Sequence, residues 1–569
     1  MELKTKSNSI LVALFAFIAS AILLTVIQVP LGFSFCAWFA LVPFVIAAIS
    51  TEKIKPVIFA SYIISLVYWL GNIYWLEFTT PVGWIVFCLY IALYWPILVI
   101  SVRYCFSRKV PLWFSVPILI VGAEAIQGWM LKGFAWRYLA HSQFENIMLI
   151  QISDIFGAAG VSFLIAMVNG LIAEVIIDAK KKLFFKPANI TGIVLAIIAI
   201  AATLFYGRYR IIQTADFIEN GPRVSVVQSN VPVKAGEETV PPDISFIDML
   251  LDSRRSLAAE PNLIIWPETM VETIFDDGYL KLLGADSTAK IYHNALVRHS
   301  NEGVYLLVGA FSSDAYLADN NEIKLTAKYN SAFLYEPNRS ARQYYDKIYL
   351  VPFGEYIPFK DSLPFLYKIM MKLTPYNYDY TLDAGRDFTV FKMNSGGKAY
   401  RFGVMICYED TLPKSARRFT IGIDNKKQID WLVNISNDGW FVRGKNEKII
   451  PSTELAQHTA ICVFRAVENR VPVIRSVNTG ISCYIDSLGR IRNDFIAGNL
   501  PKKAFDRTGR GGWFADQLLI DKRVTIFSRV GQRLDISCAI CLIFAAFVSI
   551  YKYRTQNIER RKQNLDSEL

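Results

Sequence analysis

Eight apolar stretches, each about as long as a membrane crossing, constrain this chain more than anything else in it. They run over Ile10–Val29, Phe33–Ile49, Val57–Leu76, Val82–Val102, Leu112–Met130, Ala158–Ile177 and Ile190–Phe205, and, after a long polar interval, Leu534–Tyr551. A helix needs ~20 apolar residues to cross the hydrocarbon core, where only helices and closed barrels satisfy their own backbone. The composition agrees: 53% of residues are hydrophobic and 14% aromatic, more than an ordinary soluble protein of this size carries. The expectation is a multi-span α-helical membrane bundle of about eight spans. The first stretch follows Lys4 and Lys6 but has no small-residue cleavage site behind it, and is expected to be retained.

The net charge of +11 would suit a nucleic-acid binder, but the basic residues gather at the edges of apolar runs, where they act as topology signals. No nucleic-acid partner is expected. With a cytoplasmic N-terminus, the inner loops hold Lys53 and Lys55, then Arg103, Arg108 and Lys109, then Lys180, Lys181, Lys182 and Lys186. The outer loops hold only Lys132 and Arg137. Seven crossings then place Gly207 to Arg533 outside, and the eighth returns Lys552, Arg554, Arg560, Arg561 and Lys562 to the cytoplasm. The predicted division is a bundle over 1–206, an extracytoplasmic domain over 207–533, and a final helix with a basic tail over 534–569. Of the eight cysteines, five (Cys36, Cys88, Cys105, Cys538 and Cys541) lie in or beside apolar stretches as small hydrophobes, the Cys538-Ala539-Ile540-Cys541 spacing included, so neither a metal nor another cofactor is expected.

No linker divides the outer region. Its strand candidates are Arg223–Gln228, Leu263–Trp266, Val304–Phe311, Ser331–Tyr335, Arg401–Ile406, Trp431–Ile435, Val471–Val477 and Ile481–Ile485. Helical patterns at Ile244–Ala258 and Thr453–Asn469 separate some of them, which predicts a layered α/β sandwich. Three strand ends each deliver a reactive residue into a turn. An apolar strand stops at Pro267 and leaves Glu268 at its mouth; Tyr345-Asp346-Lys347 leads into Pro352-Phe353-Gly354-Glu355; and Val404-Met405-Ile406 ends in Cys407-Tyr408-Glu409-Asp410. Singly, each has a bland explanation, since a Cys after an apolar strand is usually a small buried hydrophobe.

Together, Trp-Pro-Glu, Tyr-Asp-Lys and Cys-Tyr-Glu-Asp, in this order, resemble the Glu-Lys-Cys signature of the nitrilase superfamily, and imply an α-β-β-α sandwich. The whole chain, with its spans, is similar to the apolipoprotein N-acyltransferase family. The similarity extends to Gly133-Phe134-Ala135-Trp136, His141-Ser142-Gln143, Gln228-Ser229-Asn230-Val231-Pro232, Asn434 to Phe441, Arg465 to Arg470 and Asn478-Thr479-Gly480. It departs from the family at Val233–Glu238, which lacks the usual Lys-Trp pair, and at Arg443–Lys448, which replaces a Gly-rich run.

The resemblance implies a triad of Glu268, Lys347 and Cys407, supported by Glu355, Tyr408 and Glu409. A thiol is a weak nucleophile until deprotonated, so Glu268 would be its base. Lys347 would stabilise thiolate and oxyanion with the backbone N–H of Tyr408, and Glu355 would orient Lys347. Implied too is a ping-pong transfer: the sn-1 acyl chain of a phospholipid, typically phosphatidylethanolamine, passes through a Cys407 thioester to the α-amine of a diacylglyceryl-cysteine lipoprotein. The site would face outward from a bacterial inner membrane. A papain-like alternative would draw on His141, His293, His299 or His458, none of which sits in a recognisable motif. The rival readings are a membrane-tethered nitrilase-type amidohydrolase, whose thioester water resolves, and a transporter or assembly module whose outer domain only binds.

Overall fold

The computed structural model describes the chain apart from Met1, Glu52, 234–239, Asn321, 340–341, 358–359, Asp361, 373–379, 446–447 and Leu569, and without the side chains of 2–9, Leu366, Lys445, Lys448 and 556–568. It divides into two compact units, one made of residues 1–74, 84–208 and 532–569, the other of 75–83 and 209–531.

Among the described residues, five helices are long and apolar enough to cross a membrane: Ile54–Asn72, Pro81–Ser107, Ala158–Lys180, Pro187–Asp216 and Arg533–Thr555. The other three expected crossings appear as shorter apolar helices within Ile10–Val26, Ser34–Ile49 and Leu112–Gln127. Five crossings are what the described helices provide by length and composition. The 16-residue Leu112–Gln127 helix spans ~24 Å at 1.5 Å per residue, and its last turn is spent on polar work. Gln127 donates its amide to the Phe134 and Trp136 carbonyls at 2.9 and 2.8 Å, and Glu124 accepts the Leu139 N–H at 2.7 Å. These polar residues of an apolar segment thus pin the Gly-Phe-Ala-Trp stretch that follows it. Asn169 ties two further segments, accepting the Leu41 N–H at 2.8 Å and donating to the Ala37 carbonyl at 2.9 Å. Gly170 sits against the Leu112 carbonyl, where any side chain would collide, and so lets two helix backbones approach closely.

In the second unit, a seven-stranded sheet has the order 497–498, 512–521, 218–228, 263–265, 305–317, 323–335, 343–346. A five-stranded sheet has the order 483–485, 473–477, 431–436, 398–406, 390–395. Every strand candidate read from the sequence overlaps one of these. The strands at 343–346, 390–395, 497–498 and 512–521 were not foreseen, being short or broken by polar residues. Helices Pro242–Ser256 and Thr288–Ser300 cover the first sheet and Pro413–Thr420 and Glu454–Asn469 the second. The sheets meet through Ser476, whose hydroxyl lies 3.1 Å from both the Val227 and Ile265 carbonyls. Under the first sheet, Phe246, Met249, Trp266, Phe275, Tyr292, Leu306 and Phe333 form an apolar core. Burying a side chain of this size contributes ~1.5–3 kcal/mol. The parallel neighbours 263–265 and 305–317 on one sheet, and 398–406, 431–436 and 473–477 on the other, bring their carboxyl ends to one region of the unit.

Candidate active site

The strand Leu263–Ile265 ends because Pro267 has no N–H for the ladder. Trp266 is anchored below by its indole N–H, which donates to Ser253 at 3.1 Å. The following turn crosses directly over Gly309. A Cβ there would meet the Pro267 carbonyl and the Glu268 backbone, so only glycine lets Glu268 settle where it does. Glu268 is buried, at 5% exposure. Its Oε2 accepts the Asn437 backbone N–H at 2.8 Å; its Oε1 accepts Asn330 Nδ2 at 2.7 Å and Lys347 Nζ at 3.1 Å.

Lys347 follows the strand Gln343–Asp346, and its own N–H donates to the Asn330 carbonyl at 2.8 Å. Its ammonium is fully buried and also lies 2.8 Å from Glu355 Oε1. Burial alone would weaken its hold on the proton. The two carboxylates outweigh burial and hold Lys347 well above its ordinary range, so it is a fixed cation. Glu355 reaches it through a tight turn. The N–H groups of Gly354 and Glu355 both donate to the Val351 carbonyl, Phe353 takes φ of +62°, and Glu355 Oε2 accepts the Val351 N–H at 2.8 Å.

Cys407 ends the strand Lys398–Ile406 and opens a single 3-10 turn, Cys407–Thr411, with φ of +52°. A non-glycine residue there costs on the order of 1–3 kcal/mol, and persists because its surroundings hold it. Glu409 does most of that holding. Its Oε2 accepts the Ile406 N–H at 2.8 Å, and its Oε1 accepts the N–H groups of Ile348 and Tyr349 at 2.9 and 3.0 Å and the Tyr345 hydroxyl at 2.8 Å. Burial nevertheless lifts the Glu409 carboxyl to about 7. Tyr408 has a buried ring and places its backbone at the amino end of the same turn. Packing around the Cys407 sulphur, and then the Glu268 charge, push the thiol well above its ordinary range, against Lys347 and a hydrogen bond with Ser436. The resting group is a thiol with a carboxylate and an ammonium beside it.

All six residues singled out from the sequence therefore come together. Two family models match the chain: apolipoprotein N-acyltransferase N-terminal domain over residues 20–171 and carbon-nitrogen hydrolase over 246–497. The apolipoprotein N-acyltransferase of Geobacter metallireducens is 29% identical across 96% of both chains. The chain belongs to the apolipoprotein N-acyltransferase family. Another relative, apolipoprotein N-acyltransferase 1 of Treponema denticola, is 25% identical over 92% of this chain and 93% of that one. A solved CN-hydrolase superfamily protein from Xanthomonas campestris matches at 16% identity and a TM-score of 0.33, over 53% of this chain and 91% of that one.

Three residues of the site went unrecognised as such in this family member's sequence. Asn330 bridges both acids, donating to Glu268 and, at 2.9 Å, to Glu355. Asn434 donates to the Cys407 carbonyl at 3.1 Å, and Asn437 supplies the N–H to Glu268. The two later asparagines lie in a segment already noted as shared with the family, whereas Asn330 carries no sequence signal. Of the departures from the family pattern, 234–239 lies outside the described residues. In the other, Arg443 pairs with Glu77 at 2.7 Å and lies over the Phe78 ring, while Trp75 meets Phe441 edge to face at 5.1 Å. Residues 75–83 thus belong physically to this unit. Among the described residues, Asp438, Glu454 and His458 have ligand atoms within 4.8 Å of one another, close enough to hold a metal ion.

Proposed function

We propose that this membrane protein N-acylates apolipoproteins through a thioester on Cys407, drawing the acyl chain from the sn-1 ester of a phospholipid such as phosphatidylethanolamine. The observation that carries this reading is the buried Lys347, held between Glu268 and Glu355 beside a protonated thiol. Glu268 removes the thiol proton as the sulphur attacks the ester carbonyl. The oxyanion that forms is met by the Lys347 ammonium and the Tyr408 backbone N–H. Collapse breaks the carbon–oxygen bond, and the lysophospholipid oxygen leaves with the proton held by Glu268.

In the second half, the α-amine of a diacylglyceryl-cysteine attacks the thioester and Glu268 takes a proton from the nitrogen. A second oxyanion forms, the thiolate leaves, and the proton returns to sulphur. Glu355 keeps Lys347 charged throughout. Both substrates are lipid-anchored, so a site beside the outer face of an inner membrane meets each without drawing it into water. The Lys and Arg pattern supports this orientation.

Intact-mass measurement of the full-length protein mixed with phospholipid tests the reading. One acyl chain should appear on Cys407 and disappear when an amine-bearing lipopeptide is added. Transfer to the lipopeptide without any acyl-enzyme would overturn the covalent route. Loss of the adduct to water as fast as to the lipopeptide would favour an amidohydrolase.

A further inference from the structure

Behind the Cys407 turn lies a buried set of charges that the chemistry above does not use. Asp410, on the same 3-10 turn, accepts from His458 Nε2 at 2.6 Å through Oδ1 and from Arg475 Nη1 at 2.5 Å through Oδ2. His458 projects from helix Glu454–Asn469 and Arg475 from strand Val473–Val477, so the turn is tied to two separate elements. On its other side His458 Nδ1 lies 3.2 Å from Glu454 and 3.9 Å from Asp438. Asp438 in turn accepts the Ser436 hydroxyl at 2.6 Å, and Ser436 is the residue hydrogen-bonded to the Cys407 sulphur.

We propose that Asp410 and His458, locked by Arg475, are positioning residues that hold the Cys407 turn in its left-handed conformation and aim its sulphur at the acyl carbonyl. The inference rests on Cys407 being the acylated thiol.

The placement of the pair supports this. Cys407 adopts a backbone that an ordinary residue avoids, and a turn of five residues cannot enforce it alone. Glu409 fastens the turn on the Lys347 side. Asp410 fastens it from the opposite sheet and its covering helix, so neighbouring acids on one turn pull in two directions. Arg475 and His458 already stand against the acids of the cluster, at 2.5 Å and 2.6 Å from Asp410 and, for His458, 3.2 Å from Glu454, so the group serves as an ion-pair lock.

The test uses the full-length protein with Asp410→Asn, His458→Gln and the pair combined. Losing one partner changes the net charge of a buried cluster, so the single variants risk misfolding; the double variant removes one charge of each sign, keeps that net charge and is the safer fold. For each, single-turnover acylation by a fluorescent phospholipid is measured per folded molecule, alongside lipid-concentration dependence and thermal unfolding. Positioning predicts an acylation rate lowered ~10- to 100-fold at saturating lipid, an unchanged half-saturating lipid concentration, and a double variant no slower than the slower single one.

A pair that merely stabilises the fold would lower the unfolding temperature and leave the rate per folded molecule within about twofold of the starting protein, which would overturn the proposal. Losses that multiply in the double variant would overturn it too, as would a stoichiometric metal in the purified protein that His458→Gln releases. If the unsubstituted protein itself forms no acyl-Cys407, the thioester reading has failed instead, and the two failures are told apart.

Discussion

Glu409, two residues beyond Cys407, accepts the backbone N–H of Ile348, one residue beyond Lys347, at 2.9 Å. The turn that presents the thiol and the chain that presents the ammonium are thus fastened by one carboxylate, although they come from different sheets. Glu409→Gln leaves a single acceptor oxygen and turns an NH2 toward one of the N–H groups now bound. The expected result is a rate of acylation lower by on the order of a hundredfold, since small displacements of reacting groups carry that penalty. Retention of the full rate would show that the clamp is dispensable.

The same carboxyl makes stability depend on pH. Burial raises it from 4.5 to about 7, so between those values the unfolded chain has lost a proton that the folded chain keeps. Its contribution to stability is full below 4.5 and falls as the pH rises to about 7, above which it is constant. The difference in unfolding temperature between the protein and Glu409→Gln should shrink across that window. A difference that grows would contradict the sign.

Thiol accessibility sorts the cysteines. Cys407 is partly exposed, whereas Cys462 and Cys483 are buried, and burial lifts the Cys483 thiol to about 11. Iodoacetamide should label Cys407 first in the folded protein. Because the Cys407 thiol is itself raised, that labelling should be slow at neutral pH and accelerate into the alkaline range. Equal labelling of all three would remove the distinction.

Within the triad, Cys407→Ala should form no acyl-enzyme and Glu268→Gln should stall before acylation with the pocket's shape nearly kept. Lys347→Met should lose both half-reactions, because each passes through an oxyanion; one such donor is worth about 3–4 kcal/mol, or on the order of a hundred- to a thousandfold in rate. Lys347→Arg should not rescue it, since a planar fork does not fit between Glu268 and Glu355 as a compact ammonium does. Single-turnover acylation followed by a lipopeptide chase reads each step. Transfer by Cys407→Ala would require direct amine attack on the ester.

Orientation is open to a simpler check. A reporter fused after Leu518, in the strand Gly512–Asp521, should be active only as an outer-compartment marker. Cytoplasmic activity at that position would invert the topology.

Membrane character, the strand–turn segments and the six residues that the fold gathers at the candidate site were legible in the sequence because each leaves a local trace. Apolar runs announce helices in lipid, Pro267 announces the end of a strand, and Glu268, Lys347 and Cys407 stand in short ordered motifs. What the chain could not announce locally was who meets whom. Asn330 lies in the middle of a long strand and looks like any polar residue there, yet its amide joins two acids from other segments. Gly309 matters only because the Glu268 turn crosses it, and Asp410 matters only because His458 and Arg475, 48 and 65 residues away in sequence, are folded against it. Nor does hydropathy mark where a helix's last turn is diverted, as at Glu124 and Gln127, to bind neighbouring backbone. The sequence by itself determined the chemistry available to this protein. Its tertiary structure decided the geometry, because hydrogen bonds and ion pairs act over a few ångströms of space whatever the distance along the chain.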